Sequence, residues 1–385
     1  MLLMPACELL WIVSSHTSRS IFYPCIPHNS NSMKFQCIEK YLDVPVFFNF
    51  HNGELHTFCH PYSKLVLVAD ENSMQHCYPF INKVFQGKHD ITLITISSGE
   101  KNKTLHTVDF LIEQMLQAAI PKNSLLLALG GGVLCDLAGF AASIYKRGIP
   151  FALIPTTLLA MVDAAIGGKT AVNHHQQKNM IGLIHQPKAI FINEQFLHTL
   201  PPIELKNGYA ESIKHGLIAN RSFFENITVE HARKIESIHE SASIKMKFVA
   251  EDEHEQNIRK ALNFGHTVGH AFESFSHQQQ KPMSHGFAVA FGMYCEAYLS
   301  MKMNMLIEAD FLLIANKLKA TFHYHPLRED DIDSLLTLMQ NDKKNDQHIR
   351  FSLLNGIGAY AINQVIDAHL VKEAILHYIH HYNEV

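Results

Sequence analysis

Ser124-Leu-Leu-Leu-Ala-Leu129, running without a break into Gly130-Gly-Gly-Val-Leu-Cys-Asp136-Leu-Ala-Gly-Phe-Ala-Ala-Ser143, is the stretch that decides the fold. A short apolar run that follows Pro121 and ends in glycine predicts a buried strand, and the small-residue run after it predicts a helix. Three glycines between the two let backbone N–H groups approach a pyrophosphate with no Cβ in the way, and the helix N-terminus adds partial positive charge. The spacing is not G-x-G-x-x-G, so a plain strand-to-helix turn fits the glycines equally well at this point.

Outward from this unit the same alternation continues. Lys64–Asp70, Ile91–Ile96, Phe151–Ile154 and Ala189–Ile192 have the look of strands, and Leu105–Ala119 carries helical periodicity. Alternating strands and helices predict an α/β domain with a parallel sheet. Asp70 closes its strand, where an acid can accept ribose hydroxyls or cap a helix. From Pro201-Pro202 onward the texture becomes helical, with Ile349–Leu354 as a short strand exception. The expected organisation is an extension of poor order over 1–32, with Met33 as an alternative start, a nucleotide-binding domain over 33–200, and a mainly helical domain over 201–385.

Composition narrows the function. With 32 Lys+Arg against 36 Asp+Glu and a net charge of −4, a broad basic footprint for nucleic acid is excluded. At 47% hydrophobic and 18% charged residues, the chain is not a disordered one. Seven cysteines without a C-x-x-C pair point to reduced thiols in a cytoplasmic protein. The opening Met1–Val13 lacks a charged n-region and is too short to span a bilayer. The 27 histidines suggest metal or proton chemistry, although most are expected on the surface, among them His174, His175, His380 and His381.

Two segments carry chemistry. Pro155–Thr170 contains Asp163 and Gly167-Gly-Lys169-Thr170, with Lys178-Asn179 following. The upstream glycine of a P-loop is absent, so a polar pocket for an anion is the sharper reading and a solvated basic loop the plainer one. Asn263-Phe-Gly-His266-Thr-Val-Gly-His270 reads as part of one apolar helix over 257–271, with His266 and His270 on one face. Arg259, four before Asn263 and seven before His266, falls on that face, whereas Lys245 in the charged stretch 241–248 stays unassigned. With Ser284-His285-Gly286 and Ala210-Glu211 nearby in type, imidazoles and a carboxylate with an open position form the catalytic kind of zinc site. The spacing is not H-E-x-x-H, which argues against a metalloprotease.

Taken together, Gly130-Gly-Gly-Val-x-x-Asp136-Leu-Ala-Gly-Phe, Arg147-Gly, Pro155-Thr-Thr-Leu-Leu-Ala-x-Val-Asp163, Gly167-Gly-Lys-Thr170, Lys178-Asn179-Met-Ile-Gly182, Thr199-Leu-Pro201, Ala210-Glu211-x-Ile-Lys214 and Leu262–His270 resemble the 3-dehydroquinate synthases from about residue 60 to about 360. The resemblance implies a Rossmann-like NAD domain joined to an α-helical metal domain, and an enzyme of the shikimate pathway that uses NAD and zinc, or cobalt. It implies that Glu211, His266 and His285 hold the metal. It implies that Asp70, Asn72, Glu100, Lys103, Gly131, Gly132, Asp136, Thr156, Thr157, Lys169, Lys178, Phe196 and Thr199 surround NAD. Asp163, Lys169, Asn179, Lys214, Lys245, Arg259, Asn263 and His270 would face a phosphorylated sugar acid, with one of Lys343 and Lys344. Arg147 would reach the substrate phosphate of a neighbouring subunit, implying a homodimer.

The chain departs from the family pattern at Gln177 and Cys135, where glycine is usual, and at Phe287, where His-Gly-Glu is usual. The last change is expected to alter the groups around the metal rather than the ligand itself. Other readings on the same scaffold are a 2-deoxy-scyllo-inosose synthase and a metal-dependent polyol dehydrogenase. Lys214 and the Arg259/Asn263 pair favour a substrate with a carboxylate.

Overall fold

The computed structural model describes residues 36–85, 89–175, 177–341 and 349–383. The segment 1–32, Met33, Lys343 and Lys344 lie outside the described residues. The deciding stretch folds as strand β5 (Leu125–Gly130) followed by helix α1 (Gly132–Ile144), with Gly131 at the helix N-cap. Around it stand β3 (Leu65–Asp70), β4 (Ile91–Ile96), β6 (Phe151–Pro155) and β9 (Ile190–Ile192). Two strands that sequence reading missed, β1 (Cys37–Tyr41) and β2 (Val44–Phe48), complete a seven-stranded sheet of order β1-β2-β9-β6-β5-β3-β4. All its pairings are parallel except β1 with β2. β5 is buried along its whole length, as expected for a strand covered on both faces.

Strand order locates the ligand crevice. From β3 the sheet grows towards β4 on one side and towards β5, β6 and β9 on the other. In open parallel sheets a ligand binds outside the carboxyl ends of the strands at such a reversal, which here lies between Asp70 and Gly130-Gly131. Past Pro155 one turn is wound as a π-helix, Ala160–Ala164, with Ala165 N–H donating to the Ala160 carbonyl at 3.0 Å. Lys169 and the Lys178-Asn179 pair, read as a pocket or loop, lie on an antiparallel hairpin of β7 (Lys169–His174) and β8 (Gln177–Ile184). The helical half also carries a hairpin, β10 (Arg350–Leu354) with the unforeseen β11 (Tyr360–Val365).

That half supplies α2 (Pro202–Ala219), α3 (Ile235–Glu251), α4 (His266–Gln278) and α5 (His285–Lys302). The expected single helix over 257–271 is not formed. Residues Ile258–Asn263 make a 3-10 turn, Gly265 takes the left-handed conformation at φ 80°, and α4 starts only at His266. The break has a cause on α5. The buried Glu296 carboxylate accepts the Gly265 and Val268 N–H groups at 2.6 and 3.0 Å, which caps the first turn of α4 with negative charge. Arg259 and Asn263 therefore do not share a helical face with His266.

Helices α4 and α5 touch at backbone distance. A Cβ on Gly292 would lie 1.9 Å from the Gly265 carbonyl oxygen, and one on Gly269 would lie 2.9 Å from the Ala288 carbonyl oxygen. A Gly292→Ala substitution must push the helices apart. It should lower the unfolding free energy by about 1–3 kcal/mol, read as a reduced urea midpoint at unchanged m-value.

Candidate active site

On the nucleotide side, the Gly130–Gly132 turn leaves α1 without a side-chain cap, so its first N–H groups stay available to an anion. A Cβ at Gly131 would crowd Thr157 Cγ2 at 3.1 Å, and one at Gly132 would crowd Ala164 Cβ at 3.0 Å. Thr156 follows β6, its N–H bonded to the Gly130 carbonyl at 2.9 Å. The Asp70 carboxylate accepts the Ser73 N–H at 2.8 Å and so caps the helix after β3, with Asn72 exposed beside it. The buried Lys103 donates to Asp136 Oδ2 and to Asn179 Oδ1, both at 2.5 Å. Burial pushes the Asp136 carboxyl up, against the pull of Lys103. Glu100 accepts from Asn173 of β7 at 2.8 Å. The Phe196 ring belongs to an aromatic cluster, 5.6 Å from Phe80, and Thr199 is exposed. These groups, Phe196 and Thr199 apart, gather along the carboxyl edge of the sheet.

Across the crevice, α2 presents Glu211, fully buried. Its Oε1 lies 3.6 Å from His266 Nε2 and 3.3 Å from His285 Nε2, and the Lys214 ammonium is packed against Oε2. Neither carboxylate oxygen completes a well-formed hydrogen bond. One donor atom from each of Glu211, His266 and His285 falls within 4.8 Å of the others. Both imidazoles turn Nε2 inward, because His266 Nδ1 lies 3.2 Å from the Phe264 carbonyl and His285 Nδ1 lies 3.5 Å from Glu273 Oε2. A buried carboxylate whose Oε1 faces two imidazole nitrogens is a donor set that fits a divalent cation of the zinc or cobalt type. Burial, helped by Lys214, keeps His266 well below the usual imidazole range, hence neutral as a ligand must be. Burial works against charge on Glu211 too, but Lys214, His285 and His266 together hold the carboxyl below the usual range. His270 lies one turn further along α4, its ring 5.2 Å from that of His266.

Between the two sides sits Asp163, at the end of the π turn. Lys245 of α3 donates to its carbonyl at 2.5 Å and lies 2.8 Å from Oδ1, with Lys214 at 3.9 Å and His215 Nε2 at 3.7 Å. The π turn thus aims both oxygen types of one residue at one ammonium. Lys169 pairs with Glu255, which also accepts from Asn263 at 2.6 Å. Arg259 is buried, its guanidinium bound to the Glu253 and Gly167 carbonyls. A Cβ at Gly167, whose φ is 109°, would strike that guanidinium at 2.3 Å.

The structure thus links Asp163, Lys169, Lys214, Lys245, Arg259, Asn263 and His270 to Glu211, His266 and His285 through one set of contacts, while Asn179 and Lys178 stand on the β7–β8 hairpin. Arg147 does not join them. It is exposed on the turn between α1 and β6, at the amino edge of the sheet and a strand length away. Three residues at the site were not foreseen. His215, expected on the surface with the other histidines, is fully buried, its Nδ1 2.8 Å from Ser241 Oγ. It falls four residues after Glu211, a spacing that could have revealed it. Glu273 falls seven after His266, two helical turns on, and pairs with Lys178 at 2.7 Å. Glu255 follows a helix end at φ 57°, and no periodicity announces it. Phe287, the departure expected to alter the groups around the metal and not the ligand, is turned away from His285. Two residues beyond His285 on a helix points the side chain some 200° away, and its ring packs edge-on against Phe322 at 5.1 Å.

Fold and site define a two-domain architecture in which a nucleotide-type sheet faces a metal-type helical bundle, and comparisons place it more closely. A solved 2-deoxy-scyllo-inosose synthase, in complex with carbaglucose-6-phosphate, NAD+ and Co2+, matches at a TM-score of 0.77 and 26% identity over 88% of this chain and 99% of its own. A 2-epi-5-epi-valiolone synthase from Streptomyces hygroscopicus with NAD+ and Zn2+ matches at 0.74 and 26% identity, over 83% and 92% of the two chains. Family models described as 3-dehydroquinate synthase N-terminal and C-terminal match residues 93–207 and 208–345. The 3-dehydroquinate synthase of Parabacteroides distasonis is 38% identical over 84% of this chain and 92% of its own length, and that of Helicobacter pylori strain P12 is 40% identical over 74% and 83%. The chain belongs to the 3-dehydroquinate synthase family.

Lys245 offers a test of the electrostatics. Burial pulls its ammonium down from 10.5 to about 8, against the pull of Asp163. Between those two values the unfolded chain binds more proton at this position than the folded one, so the Lys245 contribution to stability is complete above 10.5 and is lost as pH falls towards 8. The difference in unfolding free energy between wild type and Lys245→Met should therefore rise with pH across that window. A flat difference in denaturant titrations from pH 7.5 to 10 would count against a buried, charge-strained lysine.

Proposed function

We propose that the chain converts 3-deoxy-D-arabino-heptulosonate 7-phosphate into 3-dehydroquinate and inorganic phosphate. The observation that carries this reading is the meeting of a buried Glu211 carboxylate, two inward-turned imidazoles and a set of lysines and arginine across from an uncapped glycine turn. Glu211, His266 and His285 would hold a zinc or cobalt ion, and the Gly130–Gly132 turn with Asp70, Lys103 and Asp136 would hold NAD. Held there, the metal would supply acidification of substrate hydroxyls and NAD a reversible hydride acceptor, so that the reaction is redox neutral overall.

The protein's own groups supply the rest. A substrate with both a carboxylate and a phosphate needs several cations, and Lys169, Lys245 and Arg259 meet that need. Lys169, with its side chain 55% exposed, is the one an entering anion meets first. Its partner Glu255 and the neighbouring Asn263 are then freed to bond substrate hydroxyls. Asp163, clamped by Lys245 and Lys214, keeps its charge and accepts a substrate hydroxyl proton in a hydrogen bond. His270 stands beside the ligand imidazoles, placed to hold or pass a proton at a substrate oxygen. Closing the ring requires the opened chain to be kept in one conformer, which fixed charges on both walls accomplish.

A homodimer in which Arg147 reaches the neighbouring site, and a cytoplasmic location, belong to this proposal. Among the described residues no helix is long and apolar enough to cross a membrane. The deciding assay supplies zinc, catalytic NAD and the heptulosonate phosphate. Phosphate should be released without accumulation of NADH. Absence of phosphate release refutes the reading, and stoichiometric NADH from a polyol would replace it with a dehydrogenase. Lys169→Ala should lower kcat/KM about 10–100-fold, the loss of one charge-assisted contact.

A further inference from the structure

A carboxylate against one of the proposed metal ligands belongs to no motif noted in the sequence. Glu273 lies on α4 one turn beyond His270, buried, and stands between an imidazole and an ammonium from different elements. Its Oε2 is 3.5 Å from His285 Nδ1 and its Oε1 accepts from Lys178 Nζ at 2.7 Å. The two histidines are thus oriented in different ways. His266 is held by a backbone carbonyl two residues before it, a contact that its own helix start provides. His285 heads α5, and its Nδ1 faces the Glu273 carboxylate, so its orientation comes from α4. Phe287, where the family usually has glutamate, points away to Phe322 and cannot substitute.

We propose that Glu273 is the positioning residue of the metal site. It fixes the tautomer of His285 with the proton on Nδ1, and thereby presents the Nε2 lone pair towards Glu211. Carboxylates in this relation to a ligating imidazole set ring orientation and raise ligand basicity, and their loss typically weakens metal affinity about 10–100-fold. Lys178 completes the arrangement. A buried carboxylate with a single imidazole partner would carry uncompensated charge, and the lysine of β8 supplies the balance from the other wall of the crevice. The inference rests on the assignment of Glu211, His266 and His285 as metal ligands.

The test is zinc affinity of the full chain, stripped with chelator and titrated against a chromophoric competitor, together with the visible spectrum of the Co2+-loaded protein. Glu273→Ala should weaken zinc binding about 10–100-fold and alter the Co2+ bands, with the far-UV spectrum of the stripped protein unchanged. Glu273→Gln keeps an oxygen for the Nδ1 proton and should recover most of that loss. Wild-type affinity in the Ala variant overturns the proposal, as does a Gln variant no better than Ala. If Ala fails to fold, the Gln variant decides, since a Gln variant with wild-type Co2+ bands and near wild-type affinity supports orientation by a hydrogen bond and one with altered bands and lost affinity overturns it. Failure of the wild-type chain itself to bind zinc would instead remove the ligand assignment beneath the proposal.

Discussion

Helices α4 and α5 approach until the backbone of one meets the backbone of the other, and the site depends on that contact. With Gly265, Gly269 and Gly292 at the crossing, the start of α4 meets the Ala288–Met293 stretch of α5 at backbone distance. His266 opens one and His285 opens the other, so close approach of the helices is what sets two imidazoles within reach of a single carboxylate. The same contact lets Glu296 of α5 end the preceding chain and start α4. A left-handed glycine, a buried cap and a shared metal-type pocket are three results of one packing geometry.

The second constraint is charge. Glu211, Asp163, Glu255 and Glu273 lie among Lys214, Lys245, Lys169, Lys178 and Arg259, with carboxylates and cations contributed from both halves of the molecule. Taking such groups out of water costs several kcal/mol each unless each is met by an opposite charge. The pairing therefore ties the hairpin and the π turn of the sheet domain to the helices opposite. It also leaves the crevice polar and pre-formed, with ion pairs that a doubly anionic ligand can take over one at a time.

Much of this was legible in the sequence, and the parts that were not have physical reasons. The parallel core strands announced themselves because strands buried on both faces must be continuously apolar, as Leu125–Leu129 is. β1 and β2 did not, since a sheet-edge antiparallel pair is only partly covered, and Pro45 interrupts the pattern. The hairpin of β7 and β8 was hidden because β8 is almost wholly exposed and carries no alternation. The helix over 257–271 was overread because Gly265 sits in an apolar period whose break is dictated by Glu296, thirty-one residues on. Among the site residues, spacing alone placed His266 with His270, whereas the meeting of His285 with Glu211 is tertiary and came from resemblance. His215 and Glu273 were within reach of helical arithmetic, at four and seven residues from Glu211 and His266. Glu255, in an irregular turn, was not.

The π turn at Ala160–Ala164 has a consequence for how such a chain can change. A π turn is an α-helical turn with one residue too many, and it persists only where something outside the helix benefits from the extra residue. Here the beneficiary is Asp163, which needs its carbonyl and carboxylate turned to the same side. Loss of one residue from this turn would restore regular winding and relieve the backbone, yet it would rotate the following segment, Gly167 and Lys169 included, out of register with α3. A length change of a single residue here is therefore enough to uncouple the Asp163 pocket from the lysines of the helices opposite.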